Sequence, residues 1–154
     1  MTMNARMTNP VMLLPGVFDA LMAIHKTVAD TGLPQDLCEM VNMRASQLNG
    51  CSTCLDGHWR IARKLGVSDE KLFAVGAWRD SPYFSDAERI ALEMAEELTE
   101  LSNKPEAVSD ELWERAADEF DEAQLAALVV AIGNINLYNR VNHATRQVGG
   151  SWKP

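Results

Sequence analysis

Long apolar runs are missing from this chain of 154 residues. The longest, Leu125 to Gly133, is about half of the ~18 residues that a membrane span needs. Near the N-terminus, Val11 to Leu14 is too short for a signal h-region and is cut off by Pro15. No membrane partner and no secretion are therefore expected, and the default compartment is the cytoplasm. Basic charge is also scarce, with 14 Lys and Arg against 22 Asp and Glu and a net charge of -8. Nucleic-acid binding rests on Lys and Arg clustered against phosphates, so no nucleic-acid partner is expected. Aromatic residues supply only 6%, yet 47% hydrophobic and 23% charged residues make an ordinary globular composition, which excludes collagen-like, low-complexity and wholly disordered chains.

Strand-like alternation is absent as well. The apolar period is helical almost everywhere, which predicts an all-α, single-domain bundle of six to seven helices. Residues 1–15, rich in Met and carrying Pro10 and Pro15, read as an extended arm, and residues 16–154 as the helical domain. Helices are expected from Val17 to Asp30, from Pro34 to Leu48, from Cys51 to Leu65 and from Ser68 to Trp78. Ser85-x-x-Glu88 is a capping box opening a helix to about Leu101, and Ser109 opens another to Phe120. Asp121-x-x-Gln124 introduces the most apolar helix, to about Thr145, and the tail from Gly149 is expected to be loose.

Cysteine is nearly as scarce, with three in the chain, too few and in the wrong compartment for a structural disulfide framework. Two of them form Cys51-x-x-Cys54, at the point where chemistry is concentrated. On one helix Cys51, Cys54 and His58 stand at i, i+3 and i+7 and share a face. Asn49 or Gly50 at the helix start would leave free amides near Cys51, where the helix dipole favours thiolate. His58, one turn beyond Cys54, is placed to exchange protons with it. Counting outward from the Asn49-Gly50 turn at ~1.5 Å per residue puts Glu39 level with His58 to Arg60, which gives the order carboxylate, imidazole, thiol.

Each of these residues also has a plainer reading. Zinc wants four ligands, and only Cys38 or His25 is at hand to join Cys51, Cys54 and His58. Cys38 otherwise reads as a small buried residue, and His25 and His143 as packing or surface histidines. Trp59, Trp78, Trp113 and Trp152 read as core or interface residues, and Glu93, Glu96, Glu97 and Glu100 as a solvated acidic face.

Glu39, eleven intervening residues, Cys51-x-x-Cys54, three residues and His58 resembles the active-site signature of alkylhydroperoxidase D-like proteins of the carboxymuconolactone decarboxylase family. The helical pattern from Pro34 to Leu65 fits the same family, and the late helix with Asn134, Asn136, Asn139, Arg140 and Asn142 is similar in character. One departure is visible: the alkylhydroperoxidase D type carries a histidine just before its second cysteine, where this chain has Thr53. The resemblance implies a thiol-dependent peroxidase in which Cys54 attacks a small-molecule hydroperoxide and Cys51 resolves the sulfenic acid to a disulfide. Geometry alone leaves open which cysteine attacks, since Cys51 is nearer the helix terminus. The resemblance further implies an external dithiol reductant, protein or lipoyl-type, no cofactor and no metal, and a homo-oligomer, trimeric or hexameric. The arm's Met1, Met3, Met7 and Met12 and the apolar last helix agree with assembly. Two other classes use the same residues: a thiol-disulfide oxidoreductase without peroxidase activity, and a helical module with a metal clip.

Overall fold

Four helix starts follow from side chains that accept the first free backbone amides. Ser68 accepts from the Lys71 amide, Ser109 from Leu112, and Ser85 with Glu88 and Asp121 with Gln124 close reciprocal capping boxes. The structure, a computed structural model, describes residues 3–102, 104–152 and 154. Among these residues the chain forms eight α-helices and no strand: α1 Pro10–Leu13, α2 Val17–Asp30, α3 Gln35–Leu48, α4 Ser52–Lys64, α5 Asp69–Ala74, α6 Asp86–Thr99, α7 Asp110–Glu119 and α8 Glu122–Ala144. No helix among them is long and apolar enough to cross a membrane. A 3₁₀ segment, Val75–Asp80, links α5 to α6.

Three local expectations change. The segment expected as an extended arm contains α1, one turn opened by Pro10 and capped by Asn9, whose Oδ1 accepts from the Val11 amide. The helix expected from Ser68 to Trp78 breaks after Ala74, and Ala77 leaves helical geometry at φ -129° and ψ 34°. Glu96 is not part of a solvated face. It is buried, with the Trp78 indole N–H at 2.8 Å, the Arg44 Nε at 2.7 Å, and Arg79 on its other oxygen.

Helix α3 lies at the centre and packs on α4, α6 and α8, with Met40, Val41 and Ala45 fully enclosed. The main core joins Met40 and Val41 to Leu92, Met94, Leu128 and Ile132 from α6 and α8. A small separate cluster holds Ala45, Cys51, Cys54 and Ile135, with Tyr138 packed against it. The disulfide-forming sulfurs thus sit in their own apolar niche between α3, α4 and α8.

Glu96 ties α3, the 3₁₀ segment and α6 together, and removing its carboxylate takes the acceptor from the buried Trp78 indole N–H and from the largely buried Arg44 Nε. Glu96→Ala should cost about 3 kcal/mol, read as a lower urea midpoint. Burial pushes the Glu96 carboxyl up, but the donors from Trp78, Arg79 and Arg44 outweigh it and hold it below its ordinary 4.5. Its stabilisation is therefore complete above pH 4.5 and is lost as the pH falls below that value through the folded one. In the Ala variant this part of the acid dependence should disappear.

Candidate active site

The site starts from the turn between α3 and α4. Gly50 takes φ 67°, the left-handed region that a side chain disfavours, and the Cys51 amide then bonds back to the Ser46 carbonyl at 2.9 Å. Cys51 is itself the cap of α4, which begins at Ser52, one residue later than its sequence suggests. Its Sγ accepts from the Cys54 amide at 3.4 Å, so the sulfur occupies the electropositive end of the helix directly. Asn49 fixes the turn from the other side, donating to the side-chain oxygens of Asn136 and Asn139 on α8, each at 2.9 Å.

Cys51 and Cys54 are joined as a disulfide, with Cα atoms 5.4 Å apart, and both are buried. Across the hairpin the Glu39 carboxylate meets His58 Nδ1 at 2.7 Å, the position that register counting gives it. His58 is only 6% exposed, and such a carboxylate fixes ring orientation and tautomer. The tail, expected to be loose, lies over this pair: Trp152 stacks edge-on to the His58 ring at 5.7 Å. Trp152 lies so close to Gly57 that a Cβ there would be 1.9 Å from its ring.

Several neighbours escaped the sequence reading. Asn142 donates from Nδ2 to Cys54 Sγ at 3.3 Å, and its oxygen accepts from Asn9 Nδ2 at 2.9 Å. His25, read as a packing residue, is half-buried on α2, with Nε2 3.2 Å from Asn134 Nδ2 and its ring 5.9 Å from that of Tyr138. Burial lowers the His25 imidazole below its ordinary 6.5, His58 adds to this and Glu39 opposes it, which puts His25 within the field of the His58–Glu39 pair. Thr53 is buried, and its hydroxyl oxygen has no hydrogen-bond partner among the described residues. The signal for the asparagines was their spacing on α8, where 134 and 142 stand two turns apart on one face. Asn9, in the arm, gave none. A groove of about 490 Å³ between the arm, the start of α4 and the end of α8 is lined by Cys51, Ser52, Asn142 and Arg146, among others.

A profile of the carboxymuconolactone decarboxylase family matches residues 15–97, more than half of the chain. The protein belongs to that family. Among relatives, the uncharacterised protein YdfG of Bacillus subtilis (strain 168) is 33% identical over 132 residues, 86% of this chain and 88% of YdfG. Among solved structures, ATU0492 of Agrobacterium tumefaciens, of unknown function and put forward as the antioxidant defence protein AhpD, superposes with TM-score 0.86 at 28% identity. That match covers 97% of this chain and all of the other. The debrominase Bmp8, as a cysteine-to-alanine variant with 2,3,4-tribromopyrrole, shares the fold at TM-score 0.77 and 22% identity, over 92% of this chain and 74% of its own.

Among the described residues no three His, Cys, Asp or Glu side chains converge as a group that could hold a metal ion. Cys38 is the free thiol, and burial, then Glu39 and Asp36, push it up to about 12 from an ordinary 9.0. In the oxidised protein Cys38 should therefore react with a disulfide reagent at pH 8 on the order of 10³ more slowly than free cysteine, from thiolate fraction alone. Reduction should then reveal two fast thiols. A fast thiol before reduction would contradict the burial of Cys38.

Proposed function

We propose that the protein is a dithiol-dependent peroxidase for small organic hydroperoxides, cycling between the Cys51/Cys54 dithiol and its disulfide. The observation that carries this reading is a redox-capable cysteine pair at a helix start with the buried His58–Glu39 pair on the next turn. The Cys54 thiolate attacks the peroxide O–O bond; an S–O bond forms and the alcohol leaves as alkoxide, which takes a proton from the imidazole side of the pair. Cys51 thiolate then attacks the sulfenic sulfur, forming the S–S bond and expelling hydroxide, protonated to water. An external dithiol, protein-bound or lipoyl-type, returns two electrons. Assembly into a homo-oligomer belongs to the same proposal. It is supported by exposed Met3, Met7 and Met12 on the arm, by Phe18 and Met22 on α2, and by Val130 and Leu137 on α8. Met1 lies outside the described residues.

Cys54→Ser should abolish hydroperoxide consumption, whereas Cys51→Ser should react once and leave a sulfenic acid on Cys54 that a dimedone-type reagent traps. The reverse result would exchange the two roles. Turnover of a model disulfide with no turnover of an organic hydroperoxide would leave a thiol-disulfide oxidoreductase.

Glu39 and His58 act in this scheme as one proton-handling unit. Glu39→Gln and His58→Gln should each slow turnover by about 10²–10⁴, and the double variant should be little slower than the worse single one. Additive losses, with circular dichroism showing each variant folded, would separate the two residues.

A further inference from the structure

The end of α8 touches the sulfur that the proposed cycle uses. We propose that Asn142 is a catalytic residue of the dithiol site, donating a hydrogen bond to the Cys54 sulfur that holds its thiolate and makes Cys54 the leaving sulfur when the disulfide is reduced. Asn9 is the positioning residue that aims it. The inference rests on the Cys51/Cys54 cycle above.

The orientation of the Asn142 amide is fixed by a chain of obligatory donors. The Val11 amide can only donate, and it donates to Asn9 Oδ1 at 3.0 Å, which turns Asn9 Nδ2 towards α8. Asn9 Nδ2 in turn claims Asn142 Oδ1 at 2.9 Å, leaving the Asn142 NH₂ facing Cys54 Sγ at 3.3 Å. The arm is held against the end of α8 and the residues after it by three further bonds: the Arg6 amide to the Thr145 carbonyl at 2.8 Å, Arg6 Nη1 to the Ala144 carbonyl at 3.1 Å, and Gln147 Nε2 to the Met7 carbonyl at 3.0 Å. Among the described residues each sulfur therefore has one N–H donor, main-chain for Cys51 and side-chain for Cys54.

A disulfide sulfur is a weak acceptor and a thiolate a strong one, so the Asn142 bond strengthens as charge arrives on Cys54. The groove beside the pair is lined by Cys51 and not by Cys54. An incoming thiolate accordingly attacks Cys51 Sγ: a new S–S bond forms to Cys51, the Cys51–Cys54 bond breaks, and its electron pair leaves on Cys54, where the Asn142 N–H waits. The second thiol of the same reductant, as thiolate, then attacks the reductant's own sulfur in the mixed disulfide, closing a cyclic disulfide and releasing Cys51 as thiolate. The other titratable or charged groups about the pair are His58 and Glu39 on α4 and α3, His25 on α2, Tyr138 and His143 on α8, and Arg146 beyond it.

The test uses the full chain carrying Cys51→Ser, in which Cys54 is the reactive thiol, and follows iodoacetamide alkylation against pH. Asn142→Leu, similar in size but without the donor, should move the midpoint up by about one to two units, a roughly ten- to hundredfold loss of thiolate at fixed pH. Asn9→Ser keeps an oxygen for the α1 cap and removes the amide that orients Asn142, and should move the midpoint the same way by less. With both cysteines present, reduction of the disulfide by dithiothreitol should slow in the same order. An unchanged midpoint in both variants, or a rate lowered equally at every pH, overturns the proposal. Should Asn142→Leu fail to fold, the Asn9→Ser profile decides alone. Neither readout uses peroxide, so a wild-type protein inactive on hydroperoxides would remove the peroxidase reading and leave this result standing.

Discussion

The hairpin register of α3 and α4 is the constraint on which the site depends. Gly50 reverses the chain in a turn so tight that Cys51 must leave helical geometry and become the cap of the next helix. From that fixed point the 3.6-residue repeat carries Cys54 and His58 along one face of α4 and sets Glu39 of α3 opposite the imidazole. Burying a carboxylate and an imidazole together has a desolvation cost that only close geometry offsets, and the 2.7 Å contact supplies it. A slip of one residue in the turn would rotate the histidine away by about 100° and separate the pair.

Polar groups around the sulfurs are arranged by a second device, the row of buried asparagines on α8. Asn136 and Asn139 grip the α3–α4 turn through Asn49, and Asn139 also donates to Ser46 at 3.0 Å. Asn142 reaches the sulfur from the same helix. A neutral amide suits this place, because it can serve as donor and acceptor inside an apolar niche without bringing a charge that must itself be compensated. The niche around Ala45, Ile135 and Tyr138 keeps the sulfurs from general solvent, while the groove at Cys51 leaves one side approachable.

Much of this was legible because it is local. Caps at Ser68, Ser85, Ser109 and Asp121 follow from a side chain and the amides three residues on, and the Glu39–His58 meeting follows from counting along two helices joined by a short turn. What the sequence hid is non-local. Glu96 looks like its neighbours Glu93, Glu97 and Glu100 until the 3₁₀ segment brings Trp78 and Arg79 onto it. His25 and Asn9 lie 33 and 45 residues before His58 and Cys54, and no periodicity joins an arm to the far end of the last helix. The break after Ala74 likewise depends on packing that the apolar repeat through Leu72, Val75 and Trp78 does not reveal.

The tail over α4 links two positions far apart in the chain. Trp152 rests its ring where a methyl group on residue 57 would have to be, and it forms a T-shaped pair with the histidine beside it. Glycine at 57 and the placement of the indole at 152 are therefore coupled: a side chain at 57 would make the Trp152 ring shift from its seat beside the imidazole. Among related chains the two positions should change together, and those that have lost the glycine should present a more open face to bulky molecules.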